Sequence, residues 1–150
     1  MNSENSDNAQ KWIAPGQLAV CRNLADGDLV AGVLLYRIFG LWKVRPKKLT
    51  RMNREWLAMS RDDWARSAGL TVAEIKNRAL PKLRSHCASF LEIRPMKLKP
   101  NDKNNLLWIS LDEEEMQQAI IPWDMYEPNL NGQGIVAKPV KYPYKKLGSE

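Results

Sequence analysis

Five hydrogen-bond donors lie along one helical stretch of the sequence and have the chemistry to bind phosphates or the edges of bases. They are Lys76, Asn77, Arg78, Lys82 and Arg84, whose ammonium, amide and guanidinium groups pair with guanine, adenine and phosphate oxygens. Apolar residues recur near helical spacing along the same stretch, at Val72, Ile75, Ala79, Leu80 and Leu83. This pattern predicts an amphipathic helix that buries one stripe and presents the donors to a nucleic acid.

Two predicted helix starts and one glycine define the unit that positions these donors. Ser60 is followed by Asp63 and Thr71 by Glu74, and an acid three residues after Ser or Thr is typical of a helix N-terminus. Gly69 stands where the first helix must end, because glycine adopts the left-handed conformation without steric cost. The turn of about three residues is the spacing of a helix-turn-helix. The predicted nucleic-acid contacts of this unit are Thr71, Lys76, Asn77, Arg78 and Lys82.

A two-stranded hairpin is predicted directly after the second helix. The β-prone runs Phe90–Leu98 and Leu106–Leu111 flank a turn rich in Pro, Asn and Asp,. Lys97, Lys99 and Lys103 lie in or beside this turn, and we expect them to contact phosphates. A helix-turn-helix followed by a basic hairpin predicts a winged helix-turn-helix. The expected fold class is therefore α+β, mainly α with a small β-hairpin, plus an extended C-terminal arm.

Several stretches also follow one another in a characteristic order. They are Asp28–Arg37, Arg54–Ser60, Trp64-Ala65 with Gly69-Leu70-Thr71, Ala79–Arg84 and Leu91–Ile93. Over residues 26–111 this order resembles the winged-helix domain of phage and plasmid replication proteins. The resemblance implies DNA binding in replication initiation or transcription regulation. The chain departs from the family at Pro81, which predicts a kink or a new short helix, and at residues 85–89, where the family usually has a shorter turn with Gly.

Positive charge coincides with the predicted winged helix. Residues 43–111 carry sixteen basic and six acidic side chains, a net of +10. The stretch before the helix-turn-helix adds five further predicted contacts, which are Arg45, Lys47, Lys48, Arg51 and Arg54. A basic domain between neutral or acidic ends is typical of a protein that binds a phosphate backbone, whereas solvated charged faces are the plain alternative. We expect nucleic acid as the partner, with double-stranded DNA favoured over RNA.

The chain is predicted to contain one domain with two flanking segments. Residues 1–10 are expected to be disordered, residues 11–120 to form the winged-helix domain, and residues 121–150 to form an extended arm. The arm interleaves aromatic and basic residues between Lys138 and Lys146. These could stack on bases, dock onto a protein partner or fold back onto the domain.

Further local patterns predict the remaining elements. They are a short helix beginning near Pro15, a helix over Asp26–Phe39 ended by Gly40, a loop over Arg45–Arg54, a strand over Glu55–Ala58, and a helix over Ser110–Ile120 stopped by Pro122,. Trp56, Trp64 and Trp108 are expected in the core, because large aromatic residues dominate the cores of small domains.

The sequence gives no pattern for catalysis, a metal or a cofactor, so we expect a protein that is not an enzyme. The only histidine, His86, is expected to be buried or capping. Cys21 and Cys87 are expected to be buried thiols in the cytoplasm, with a disulfide between them as the alternative,. No apolar run reaches membrane-spanning length, and the polar start is not expected to be a secretory signal. The alternative to DNA binding is a protein-interaction subunit of a larger complex that docks through the winged helix and the arm.

Overall fold

Two helices open the part of the chain that the structure describes. The computed structural model describes residues 16–45, 48–124, 127–129 and 134–136. Helix α1 spans Gln17–Leu24 and helix α2 spans Leu29–Val44. Asp28 begins α2 by accepting a 3.0 Å hydrogen bond from the Ala31 backbone N–H. The expected end at Gly40 is wrong, because Leu41 and Trp42 continue the helix and are both buried in the core.

Helices α1 and α2 pack so closely that one position admits no side chain. A Cβ atom added at Gly32 would lie 2.5 Å from the backbone Cα of Arg22 in α1. Backbone cannot move aside as a flexible side chain can, so the contact requires glycine at this position. Gly40 lies two turns further along α2, and a Cβ added there would meet nothing within 4 Å.

Gly32→Ala is therefore expected to lower the free energy of unfolding by about 1–3 kcal/mol, the usual cost of forcing atoms into a packed interior. Gly40→Ala is the matched control and should raise it by up to about 1 kcal/mol, since alanine favours the helix. Urea denaturation at low micromolar protein concentration would measure both. A neutral Gly32→Ala variant would contradict the close approach of α1 and α2.

The basic stretch before the helix-turn-helix is a hairpin and not the expected loop. Strand β1 spans Leu49–Arg51 and strand β2 spans Arg54–Met59, with Arg51 paired to Arg54. The two turn residues, Met52 and Asn53, have φ angles of 56° and 61°. Positive φ at both central residues is the geometry of a type I′ turn, whose twist matches that of the flanking strands.

Two helices joined by a three-residue turn form where the sequence predicts them. Helix α3 spans Arg61–Ala68, and the Ser60 hydroxyl accepts from the Asp63 N–H at its start. Gly69 ends α3 with φ 74°, in the left-handed region. Thr71 and Glu74 form the capping box that begins α4, residues 72–86. Helix α4 contains α-helical Val72–Glu74, π-helical Ile75–Ala79 and α-helical Leu80–His86.

A four-stranded antiparallel sheet packs against these helices. Strand β3 spans Leu91–Met96 and strand β4 spans Leu106–Leu111, and the order is β1-β2-β4-β3. The α+β class is confirmed, but the sheet is larger than the small hairpin we expected. Leu57, Ile93 and Ile109 pair across one face of the sheet and belong to the main core.

The three tryptophans are buried as predicted, but in two places. Trp64 belongs to the main core. Trp56 and Trp108 are also buried, with ring centroids 6.2 Å apart in an edge-to-face arrangement. The register places Trp108 opposite Ala58 and Arg94, on the sheet face away from Ile109. The sheet therefore buries side chains on both faces.

The last elements differ from expectation in detail. Helix α5 spans Glu113–Asp124, so Pro122 falls within its last turn and does not stop it. A hydrogen bond lost this close to a helix end removes little of the helix. Strands β5, Glu127–Asn129, and β6, Gly134–Val136, pair as a short hairpin within the segment predicted to be an extended arm. The predictions for residues 1–10 and for Lys138–Lys146 lie outside the described residues.

Candidate nucleic-acid interface

Helix α4 separates its apolar and polar side chains as the sequence predicts. Ile75, Ala79, Leu80 and Leu83 are buried. Lys76, Asn77 and Arg78 are exposed on the π-helical turn between them. Val72 was expected in the buried stripe but is 37% exposed, so the stripe begins one turn later.

The π-helical turn directly precedes Pro81 and explains how the helix accommodates it. The Leu80 N–H bonds to the Ile75 carbonyl, five residues back, which widens this turn. Proline has no N–H to donate, and its ring clashes with a carbonyl in the preceding turn of a regular α-helix. Pro81 stands at the start of the segment Leu80–His86, which agrees with the second of the two predicted outcomes. Such π turns occur frequently at functional sites.

One edge of α4 is held by carboxylates from the α1–α2 turn. Lys82 donates to Asp26 at 3.0 Å, and Arg78 approaches Asp28 at 3.4 Å. His86 Nε2 lies 3.5 Å from the same Asp26 carboxylate. His86 is exposed, so the predicted buried position is wrong. It is the last residue of the segment Leu80–His86, at the C-terminal end of α4. Arg78 and Lys82 are thus drawn towards α2 and partly neutralised.

These contacts also set the pKa values of the two carboxyls. The hydrogen bond from Lys82 lowers the pKa of Asp26, although burial acts in the opposite direction. Burial acts to raise the pKa of Asp28, but hydrogen bonds from the Ala31 N–H and from Arg78, with the charge of Arg78, lower it overall. Because each carboxyl has a lower pKa in the folded protein than in the unfolded chain, its ionised form stabilises the fold at pH values above the unfolded-state pKa. This stabilisation is lost as the pH falls through the folded-state pKa.

Lys48 and Arg54, two cations of the β1–β2 region, are engaged within the fold. Lys48 lies 4.7 Å from the Trp42 ring and donates to the Arg45 carbonyl. Arg54 lies above Trp56 and forms a 2.8 Å ion pair with Glu92. The side chain of Arg45 is exposed, and the predicted contact Lys47 lies outside the described residues. This region therefore presents less free charge than its sequence suggests.

Arg51 anchors the loop between β3 and β4, residues 97–105, which we call the β3–β4 loop. Its guanidinium donates to the Lys97 carbonyl at 2.9 Å and to the Leu98 carbonyl at 3.1 Å. The same group lies 4.1 Å above the Trp108 ring. Arg51 is thus a structural clamp on this loop, although the sequence predicted it as a nucleic-acid contact.

Replacing Arg51 with alanine should release the base of the loop. We expect faster amide hydrogen exchange at residues 97–99 and a loss of about 1–3 kcal/mol in stability, because hydrogen bonds to a charged group and a cation–π contact disappear together. Arg51→Lys should restore little, since an ammonium group lacks the planar fork that reaches two carbonyls. Unchanged exchange in Arg51→Ala would contradict the clamp.

The β3–β4 loop presents three exposed lysines. Lys97, Lys99 and Lys103 have no ion-pair partner among the described residues. The loop is shaped by Asp102, whose carboxylate accepts from the Lys99 N–H and whose own N–H donates to the Lys99 carbonyl. A local turn thus holds the three ammonium groups on one loop.

One buried hydrogen bond connects the helix-turn-helix to the sheet that carries this loop. The indole N–H of Trp64 in α3 donates to the Leu107 carbonyl in β4 at 3.0 Å. Leu107 is opposite Pro95 in the register of β3 and β4, and proline has no N–H to offer it,. The contact fixes α3 relative to the hairpin.

The arrangement leaves a smaller set of free cations than the sequence predicted. Arg45, Lys76, Lys97, Lys99 and Lys103 remain from the predicted set, and Asn77 stays exposed beside Lys76. Two cations that we had not included, Arg61 and Arg84, also lack ion-pair partners within the described ranges. Arg84 belongs to the polar face predicted for α4, but no local sequence pattern shows that it stays unpaired while Arg78 and Lys82 form ion pairs. Thr71 is occupied as the N-cap of α4.

Three further features of the described residues concern metal binding, the two thiols and the length of the helices. Among them, no group of three or more His, Cys, Asp or Glu side chains is placed to hold a metal ion. Cys21 and Cys87 are buried free thiols, as predicted, and burial raises the pKa of each to about 12. No helix in the described ranges has both the length and the apolar character to cross a membrane.

Comparisons with known proteins assign neither a family nor a function to the chain. No protein family, no curated protein sequence and no solved structure matches the chain.

Proposed function

We propose that this protein is a winged-helix protein that binds double-stranded DNA through α4 and the β3–β4 loop. The observation that carries the proposal is the position of its unpaired cations. Several basic side chains of residues 43–111 are engaged within the fold, whereas Lys76, Arg84 and the three loop lysines are exposed without ion-pair partners in the described chain. They lie on the helix and the loop that a winged helix uses to bind DNA.

In this proposal α4 enters the major groove and the β3–β4 loop contacts the adjacent backbone. Lys76 and Asn77 lie together on the exposed π-helical turn and have the donors that recognise guanine and adenine. Lys97, Lys99 and Lys103 contact phosphates, which adds affinity without sequence preference. Arg78 and Lys82 set the orientation of α4 through Asp28 and Asp26 and do not read bases.

The biological role is proposed from the resemblance noted in the sequence. It is that of a replication-initiator or regulatory protein of a phage, plasmid or other mobile element. The helix-turn-helix, the basic hairpin and the leading helix support this role, because their order is the one the resemblance implies.

Fluorescence anisotropy with labelled duplex DNA, single-stranded DNA and duplex RNA at several salt concentrations tests the proposal. The six unpaired cations on α3, α4 and the β3–β4 loop should give a slope of log K against log salt near −5 on duplex DNA. They are Arg61, Lys76, Arg84, Lys97, Lys99 and Lys103. Single-stranded DNA and RNA should bind more weakly. No duplex binding at 50 mM salt would overturn the proposal in favour of a protein-interaction subunit.

A further inference from the structure

A methionine occupies a strained backbone position at the turn between β1 and β2. Met52 has a φ angle of 56°, in the left-handed region that a bulky side chain rarely adopts. Asparagine, aspartate or glycine is the usual residue there. The Met52 side chain is 48% exposed and lies outside the hydrophobic core, so packing in the core does not offset the strain. Backbone strain of this kind is concentrated at functional sites.

A second exposed apolar side chain lies among the unpaired lysines of the β3–β4 loop. Leu98 is 40% exposed and stands between Lys97 and Lys99. The turn of this loop is formed by the backbone of Lys99 with the backbone and carboxylate of Asp102, so it does not use the Leu98 side chain. Leu98 also lies outside the hydrophobic core of the described residues. The described fold therefore gives no reason for an apolar residue at this position.

Arg51 links the segments that carry these two exposed apolar residues. It directly precedes Met52 in the chain, and its guanidinium donates to the Leu98 carbonyl at 3.1 Å. The same guanidinium is fixed over the Trp108 ring. Met52 and Leu98, which we call the apolar pair, therefore project from two segments that one side chain holds together.

We propose that the apolar pair is a wedge that enters the minor groove of bound DNA, partly unstacks one base step and kinks the duplex. The proposal rests on the DNA binding proposed above and gives these two residues a separate task. Leucine and methionine are among the side chains that DNA-bending proteins insert between base pairs. A fixed wedge suits this task, because a side chain on a yielding segment would move aside before it separated stacked bases.

The charge around the apolar pair favours DNA over an apolar protein surface as its occupant. Lys97, Lys99 and Lys103 lie with Leu98 on the same loop and have no ion-pair partner among the residues that the structure describes. An apolar surface pressed against this loop would bury ammonium groups without partners, which is costly. The minor groove instead offers stacked bases between two rows of phosphates, so it suits the apolar and the charged side chains together.

A wedge also predicts a sequence preference that needs no hydrogen bond to a base. Pyrimidine–purine steps such as TA are unstacked easily, whereas A-tracts are stiff. We expect the protein to favour duplexes in which a TA step meets the apolar pair, at a position separate from the bases that α4 contacts. This preference should disappear when the pair is removed, while the preference that α4 confers remains.

Ring closure of short DNA by a ligase tests the wedge with the full chain and without knowledge of the preferred site. A mixed-sequence duplex of 100 base pairs is shorter than the persistence length of about 150 base pairs, so it closes rarely unless it is kinked, and saturating wild type should speed closure about tenfold or more. Leu98→Ala should lose most of this acceleration at saturation, with an unchanged salt slope because no charge is removed. Leu18→Ala is the matched control, since Leu18 is 39% exposed but lies on α1, and it should behave as the wild type.

Met52→Asn separates a functional role of the turn from a structural one. Asparagine suits the left-handed conformation at this position, so the variant should unfold at the same or a higher urea concentration than the wild type. Its acceleration of ring closure should nevertheless fall. A residue that served only the hairpin would not lose bending while the fold gained stability.

The outcomes distinguish the wedge from the DNA binding on which it rests. A wild type that binds duplex DNA but does not speed ring closure would overturn the wedge and leave the proposed function standing. The same holds if Leu98→Ala and Met52→Asn close rings as fast as the wild type, or if Leu18→Ala loses the acceleration equally. No binding to duplex DNA at 50 mM salt would overturn the wedge and the proposed function together.

Discussion

A variant in which Lys97, Lys99 and Lys103 are all alanine is expected to bind duplex DNA about 500-fold more weakly at 0.1 M salt. Each lysine that neutralises a phosphate releases a bound counterion, which contributes about 0.9 to the salt slope and so about eightfold in affinity at this concentration. The three side chains are exposed and have no ion-pair partner in the described structure. Their removal should therefore leave the fold intact.

Single variants make the measurement specific. Each lysine-to-alanine change in the β3–β4 loop should make the salt slope shallower by about one unit and weaken all duplex sequences alike. Lys43→Ala removes the same charge from the C-terminal end of α2, where the side chain lies 5.1 Å from the Phe39 ring, and should leave the slope unchanged. If Lys43→Ala and Lys103→Ala change the slope equally, the binding surface is not the one we propose.

The ends of several elements could be predicted because they depend on residues within four positions along the chain. Ser60 and Thr71 cap α3 and α4, and Gly69 adopts the left-handed conformation. Gly40 was misjudged for a related reason. A glycine ends a helix only where the residues that follow it do not pack against the core. Leu41 and Trp42 are buried after Gly40, so α2 continues past it.

The β1–β2 hairpin could not be predicted because its turn lacks the usual chemistry. Type I′ turns favour Asn-Gly and similar pairs, whereas this turn has Met52 and Asn53 with positive φ. The flanking stretch is also rich in Lys and Arg, which suggests an exposed loop. Stacking of Arg51 on Trp108 and of Arg54 on Trp56 makes these cations part of the sheet.

The exposure of several candidate site residues could be predicted from the sequence, but the ion pairs that neutralise others could not. The pairs that neutralise Arg78 and Lys82 join residues separated by 50 and 56 positions. No local pattern signals a pair over such a distance, and Asp26 and Asp28 had a sufficient local explanation at the start of a helix. Lys76 and the loop lysines were predicted correctly as exposed, because the apolar stripe of α4 and the turn of the hairpin are local features.

Trp64→Ala is expected to lower the free energy of unfolding by about 3–5 kcal/mol, since it empties a large site in the core. Trp64 is fully buried and its N–H is the donor to Leu107 that joins α3 to β4. Trp64→Phe separates the contribution of apolar packing from that of the hydrogen bond, because it keeps an aromatic ring and removes the N–H donor. A buried carbonyl left without a partner costs about 1–3 kcal/mol.

Trp56→Phe is the control for the lost hydrogen bond. The same chemical change there removes a 2.8 Å bond to the Arg51 carbonyl, which is only partly buried and can be hydrated instead. Urea denaturation should therefore show a larger loss for Trp64→Phe than for Trp56→Phe. Because the Trp64 contact holds the helix-turn-helix against the sheet, Trp64→Phe should also weaken DNA binding at a temperature where the protein remains folded. Equal losses of stability in Trp64→Phe and Trp56→Phe would mean that the hydrogen bond from the Trp64 indole to the Leu107 carbonyl does not stabilise the fold. Apolar packing alone would then position α4 against the β3–β4 loop.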